Sequence, residues 1–279
     1  PHFSRTLLTI ALPIILQNLM QSLVNMLDTI MVGQLGAVAI AAVGLGNQIF
    51  FLLNMILFGI SSGAAIFVAQ YWGKRDITGV RRTLGLALTL AAVVATLFML
   101  AAMTAPYFLI GLYSNDPLVI QEGGKYLQLV AISYSITAIS FVYAQAFRST
   151  EHVRLPMVAT LISLAANGLL NYLLIFGIDP FPELGVLGAA VATVVSRTIE
   201  LIILMGIGYK KKYEAAANLR EILSFDTGFA GRYMRVALPV IFNETFWGLG
   251  ITLQNSIFSH AGTDAISAFN ICRTISQLT

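Results

Sequence analysis

Seven stretches of this chain are each long and apolar enough to cross a lipid bilayer as a helix, and that feature narrows what it can fold into. A helical span needs about 20 mostly apolar residues. Such runs lie roughly at 6–33, 39–71, 83–111, 126–147, 155–177, 185–208 and 233–259, and an eighth begins near Asp264. Several exceed 25 residues, which predicts tilt or extension past the hydrocarbon. A membrane β-barrel would show segments of about ten residues with alternating polarity. No run alternates. The fold class expected is all-α, a polytopic membrane helical bundle.

Composition agrees. Of 279 residues, 57% are hydrophobic and 10% charged, against about 25% charged in soluble domains. A soluble domain of this size needs a charged rind that this chain lacks. The same figures exclude disorder, and the lone Cys272 excludes a disulfide framework. The net charge is only +3. The basic residues flank apolar runs and form no stripe, so no nucleic-acid partner is expected. The chain starts at Pro1 and stops at Thr279 inside an apolar run. It reads as a piece of a longer protein whose C-terminal part is missing.

The basic residues set an orientation. Lys74, Arg75, Arg81 and Arg82 follow the second run, and Arg148 and Arg154 bracket the gap after the fourth. Lys210, Lys211, Lys212, Arg220, Arg232 and Arg235 follow the sixth. Counting Arg5, 13 of the 16 Lys and Arg fall on one side. The positive-inside rule makes that side cytoplasmic, with the N-terminus inside. The gaps holding Asp116, Asp179 and Glu183 face out. The basic stretch 209–231 reads as a cytoplasmic linker, helical between Tyr213 and Leu223, with a lipid-headgroup or regulatory role as the alternative.

An internal repeat adds architecture. Ala11-Leu12-Pro13 recurs as Ala237-Leu238-Pro239, an offset of 226. At that offset Gly36 meets Gly262, Ala39-Ile40 meets Ala265-Ile266, and Ala42 meets Ala268. Six helices separate the copies, so both start on the same side and the repeat is parallel. Residues 1–208 then form a first six-helix lobe, 209–231 the linker and 232–279 the truncated start of a second lobe. Twelve helices are expected in the intact protein. Two-lobe repeats suit alternating access, because a substrate site can lie between halves that rock. No His-Glu-x-x-His, Gly-x-Ser-x-Gly or Walker A sequence occurs, so neither an enzyme nor a directly ATP-driven pump is expected.

Ionisable groups within the runs are Asp28, Arg197, Glu200, Glu244 and Arg273. Each costs at least about 2.5–3.5 kcal/mol at mid-membrane if unpaired, so each must face a cavity or a partner. Asp28 falls in the outer half of the first run. It reads as an interfacial carboxylate or as a buried one that binds a cation or a proton. Asn167 and Asn171 share a helix face at i and i+4 and reach a similar depth. With Asp28 they form either an oxygen-rich site for Na⁺, a hydrogen-bonded proton site, or simple interhelical packing. Thr193 is a further candidate at this level. Glu244 follows Pro239 in the seventh run, where proline loosens a turn and suits a hinge or a site. Gln17, Gln21 and Asn25 belong to a polar seam on the first run that could line a substrate cavity. Arg197 and Glu200, at i and i+3, read as a mutually neutralising pair.

These residues also carry a family likeness. Ala11-Leu12-Pro13, Asp28-Thr-Ile-Met-Val-Gly33 and Ala41-Ala-Val-Gly44 resemble the first two helices of the multidrug and toxic compound extrusion (MATE) transporters. Ala69-Gln-Tyr-Trp-Gly-Lys74 resembles the end of the family's second helix. Asn167-Gly-Leu-Leu-Asn171 resembles its fifth helix, Gly188-Ala-Ala-Val-Ala-Thr193 its sixth, and Leu238-Pro239 through Glu244 its seventh. The resemblance implies export of organic cations or drugs in exchange for Na⁺ or H⁺ across a prokaryotic plasma membrane, by a monomer with no cofactor. It implies Asp28 as the cation-binding carboxylate, partnered by Asn167, Asn171 and Thr193, and Glu244 as an acidic residue of the second lobe. Where some members carry Asp, Asn171 stands here, which weakens a two-carboxylate site and leaves the coupling ion open. The alternatives are a flippase of lipid-linked precursors from the same superfamily and a passive channel or facilitator.

Overall fold

The structure, a computed structural model, describes residues 2–260, and every regular element among them is a helix. In chain order these are α1 (His2–Gly33), α2 (Ala37–Gly73), α3 (Ile77–Thr104), α4 (Pro106–Gly111) and α5 (Pro117–Val130). There follow α6 (Ile132–Ser149), α7 (Arg154–Phe176), α8 (Val186–Lys210), α9 (Leu219–Ile222) and α10 (Thr227–His260). Among the described residues α2, α3, α7 and α8 are each long and apolar enough to cross a membrane, and the bent pair α5–α6 makes a fifth span. The first and seventh apolar runs correspond to α1 and α10, 32 and 34 residues long. Gly262, Asp264 and the rest of the second repeat copy, with His260's side chain and Arg273, lie outside the described residues.

Three expected boundaries are corrected. The run at 83–111 is two helices. Pro106 has no N–H to donate and forces Ala105 out of the helical region, so α3 stops there and α4 restarts. The run at 126–147 begins earlier, at Pro117. Asp116 accepts from the Leu118 N–H at 2.9 Å, and proline at the first helical position leaves no donor stranded. This span is bent by 47° between α5 and α6. The expected helix from Tyr213 to Leu223 shrinks to the single turn α9.

Side-chain size marks part of the inner face of α3. On α3, Ala87, Ala91, Ala95 and Ala102 face the protein interior, while Val93, Leu97, Leu100 and Met103 face outward. Lipid is as apolar as leucine, so burial of greasy surface does not choose a face, and small residues permit close helix approach. The interior is completed by large aromatic side chains, among them Tyr134, Tyr143, Phe147 and Tyr233.

The stretch 209–231 is docked against the bundle. Arg81 pairs with Glu221 and Arg82 with Asp226, each at 2.6 Å. Arg81 Nε also donates to the Glu214 carbonyl at 3.0 Å, and the Tyr209 hydroxyl to the Ala217 carbonyl at 2.6 Å. Ala215 and Ala217 are buried. Gly85 on α3 makes this possible, because a Cβ there would collide with the Ile222 carbonyl oxygen. Asp226 then caps α10 by accepting from the Phe229 N–H at 2.7 Å. From that start α10 runs along α2 and continues through Pro239.

Candidate functional site

Two neighbouring helices, α7 and α8, run antiparallel and carry polar side chains in matching register. Thr160, Ser163, Asn167 and Asn171 recur at helical spacing and share one face of α7. Thr160 Oγ1 donates to Glu200 Oε1 at 2.8 Å, and Ser163 Oγ to the Ser196 carbonyl at 2.7 Å. Asn167 Nδ2 donates to Ser196 Oγ at 3.3 Å. Asn171 Nδ2 donates to Asn167 Oδ1 at 3.4 Å and, across to α1, to Asp28 Oδ1 at 2.6 Å. Gly188 lets the two helices approach, since a Cβ there would lie 2.6 Å from the Leu174 carbonyl oxygen.

This ladder forms one wall of a cavity of about 660 Å³. Asp28, Asn167, Asn171 and Thr193 all line it, as do Gln21 and Asn25. The structure therefore brings Asp28, Asn167 and Asn171 into one hydrogen-bonded group. Asn167 and Asn171 are buried, and Asp28 is half-buried. Thr193 stands beside the group, but its hydroxyl donates to the Ala189 carbonyl at 2.9 Å and not to Asp28. Gln21 Nε2 donates to Asn25 Oδ1 at 3.0 Å on α1, the helix that carries Asp28. The side chain of Gln17 lies outside the described residues. Glu244 is half-buried on α10 and does not line this cavity.

One atom in the group stands out chemically. Asn171 Oδ1 is buried with no hydrogen-bond partner among the described residues. An unpartnered buried carbonyl costs about 1–3 kcal/mol. A hard monovalent cation between this oxygen and the Asp28 carboxylate would satisfy it, because such cations take oxygen ligands. The donor set of one carboxylate and two amides fits Na⁺. It also fits a protonated carboxyl that donates to an amide oxygen. Among the described residues no group of three or more His, Cys, Asp or Glu side chains could hold a metal ion in the usual way.

Several cavity residues escaped the sequence reading. Thr160, Ser163 and Ser196 are among them, although the spacing of the first two with Asn167 and Asn171 on α7 is a visible signal. Tyr126 on α5 donates to Asn47 Oδ1 at 3.3 Å, and Arg148, read only as a topology marker, lines the cavity. Arg197 does pair with Glu200, NH1 to Oε2 at 3.0 Å, yet both side chains face the cavity too.

The family model described as MatE matches residues 13–173, more than half of the chain, and takes in Asp28, Asn167 and Asn171. The chain belongs to the MatE family. A probable multidrug resistance protein NorM of Thermotoga maritima is 29% identical over all of this MatE chain and 60% of its own length. A probable multidrug resistance protein YoeA of Bacillus subtilis is 25% identical over 99% of the chain and 60% of its own. The MatE chain thus spans about 60% of the length of these curated relatives. A solved MATE in the bent conformation superposes with a TM-score of 0.86 at 20% identity, over 99% of this chain and 61% of that one. An outward-facing multidrug resistance MATE transporter gives 0.84 at 22%, over 96% and 59%. These likenesses establish the fold of this MatE chain as a helical membrane bundle.

Proposed function

We propose that residues 1–208 are the first six-helix lobe, 209–231 the linker and 232–279 the opening of a second lobe of a secondary antiporter. The intact protein exports organic cations or drugs from a prokaryotic cell across the plasma membrane. It does so as a monomer, with its N-terminus in the cytoplasm, in exchange for Na⁺ or H⁺ at Asp28, Asn167 and Asn171. The observation that carries this reading is the Asp28–Asn171 contact at 2.6 Å beside the unpartnered Asn171 Oδ1, both on the wall of one cavity. A carboxylate at that depth is tolerable only with a partner, and here it has an amide donor and an empty acceptor next to it. Family membership and relatives named as multidrug resistance proteins support the substrate class. Asp28 loaded with a cation is neutral. Emptied, it attracts a cationic substrate into the same cavity, so the two positive charges compete for one anion.

The test is ethidium accumulation in everted vesicles that hold the full-length protein, under an imposed Na⁺ gradient and separately an H⁺ gradient. One gradient should drive accumulation, and Asp28→Asn should remove the response. Flux that ran at the same rate without any gradient and ignored Asp28→Asn would overturn the reading in favour of a passive facilitator.

A further inference from the structure

The cavity has four charged lining residues among those described: Asp28, Arg148, Arg197 and Glu200. Two carboxylates and two guanidiniums cancel formally, so preference for a cation does not follow from the sum of charges. It must come from how the charges are arranged.

Glu200 organises the inner end. It is buried, with Thr160 donating to one oxygen at 2.8 Å and Arg197 to the other at 3.0 Å. Arg148 of α6 lines the same cavity and interacts electrostatically with this carboxylate. Asp28 lies at the other end. Asn171, which holds it, is eleven residues along α7 from Thr160, about 16 Å of helix rise. Arg197 stands one turn from Glu200 on the side toward Asp28, and it acts on Asp28 electrostatically as well. One guanidinium therefore stands between two carboxylates and is bonded to the inner one. A guanidinium held at 3.0 Å by a carboxylate presents a dipole to the cavity, whereas a released one presents a full charge.

We propose that Glu200 determines the charge specificity of the cavity. By holding Arg197, with Arg148 acting on the same carboxylate, it keeps both guanidinium charges at the inner end and leaves Asp28 to set the charge of the other end, where the cavity takes organic cations. With Arg197 released, the same cavity takes organic anions. This deepens the reading of Asp28 as the cation site and rests on it. Asp28 is faced by Asn167 and Asn171 from α7, Arg197 from α8 and Tyr126 from α5. None of these supplies a second negative charge, so the Glu200–Arg197 pair is the element that can tip the balance.

The experiment is equilibrium binding of ethidium, a permanent cation, and carboxyfluorescein, an anion, to the full-length protein in lipid nanodiscs. It is read by fluorescence anisotropy at one fixed pH. Glu200→Gln should weaken ethidium roughly threefold to tenfold and tighten carboxyfluorescein by a similar factor, the effect of one unit charge across a partly screened cavity. Arg197→Gln should shift both dyes the opposite way, and the double variant should return both to within about twofold of wild type. If Glu200→Gln does not fold, Arg197→Gln against the double variant isolates the same single charge. Both dyes moving together, or neither moving, would overturn the proposal and mark the pair as packing only. If Asp28→Asn abolishes ethidium binding while the pair variants leave the dye ratio unchanged, this inference falls and the Asp28 site stands. If the dye ratio shifts as stated but no gradient drives ethidium transport, the antiport reading falls and this inference stands.

Discussion

The side-chain amide of Asn171 donates to Asp28 Oδ1 at 2.6 Å, while its own carbonyl oxygen stays buried and unpartnered among the described residues. Asn171→Leu keeps the branched shape and removes both the donor and the waiting acceptor. Loss of a buried oxygen that would contact a charged ligand costs about 1.5–3 kcal/mol, roughly tenfold or more in Na⁺ affinity. Half-maximal Na⁺ for ethidium accumulation should rise by that factor. Wild-type cation dependence in Asn171→Leu would leave the amide a purely structural part.

Gly188 sits where α8 crosses the Leu174 carbonyl, with room for a hydrogen and none for a methyl. Gly188→Ala should push the helices apart at the cost of overpacking, about 1–3 kcal/mol. A lower thermal unfolding midpoint in detergent is expected, together with weaker ethidium binding, because the Asn167–Ser196 rung is already long at 3.3 Å. An unchanged midpoint would mean that the helices can separate freely here.

The docked linker has its own pH dependence. The Asn218 N–H, then Arg81, holds the Glu221 carboxyl below its ordinary range, and the Phe229 N–H, then Arg82, does the same for Asp226. A carboxyl whose folded value is depressed stabilises the folded form in full above its unfolded value. That contribution disappears as pH falls through the lower folded value. The linker should therefore resist proteolysis equally at pH 7 and at pH 5. It should loosen only below the ordinary carboxylate range, or in high salt, which screens such exposed pairs. Cleavage at pH 7 and low salt as fast as in acid would show that these contacts do not hold it. Gly85→Ala should loosen it at every pH.

Orientation is open to labelling. In a Cys272→Ala background, a cysteine at Lys211 should react only with reagents that reach the cytoplasm, and one at Asp179 only from outside. Labelling of position 211 from outside would reverse the orientation and undo the charge argument.

The helical class and the depth match between Asp28 and the two asparagines were legible in the sequence, because both follow from run length and from a rise of about 1.5 Å per residue. The breaks were less so. Pro106 and Pro117 are plain in the sequence, but an apolar run reads straight through them when polarity is the only guide. The ladder was half visible. Asn167 and Asn171 stand out in an apolar helix, whereas Thr160 and Ser163 look like residues that satisfy their hydroxyls on their own helix, as Thr193 does with Ala189. Which face of α8 turned toward α7 depended on Gly188, and a lone glycine in a helix has several other uses. The docking of the linker was hidden altogether. Its basic residues suggested a plain cytoplasmic linker, while the contacts are made by the acids Glu221 and Asp226 meeting arginines over 130 residues earlier in the chain.

Asp226 is at once a tether to Arg82 and the cap of α10, so the origin of that helix is pinned to the first bundle. Its body is held there too: the Tyr233 hydroxyl donates to the Ile60 carbonyl at 2.6 Å, and at Gly59 and Gly63 of α2 a Cβ would collide with Ile241 and Ala237. The two helices therefore travel as one pair of rods. A helix of 34 residues is about 50 Å long at a rise of about 1.5 Å per residue. A tilt of about 10° would carry its distal end sideways by about 9 Å, and α2 would have to follow.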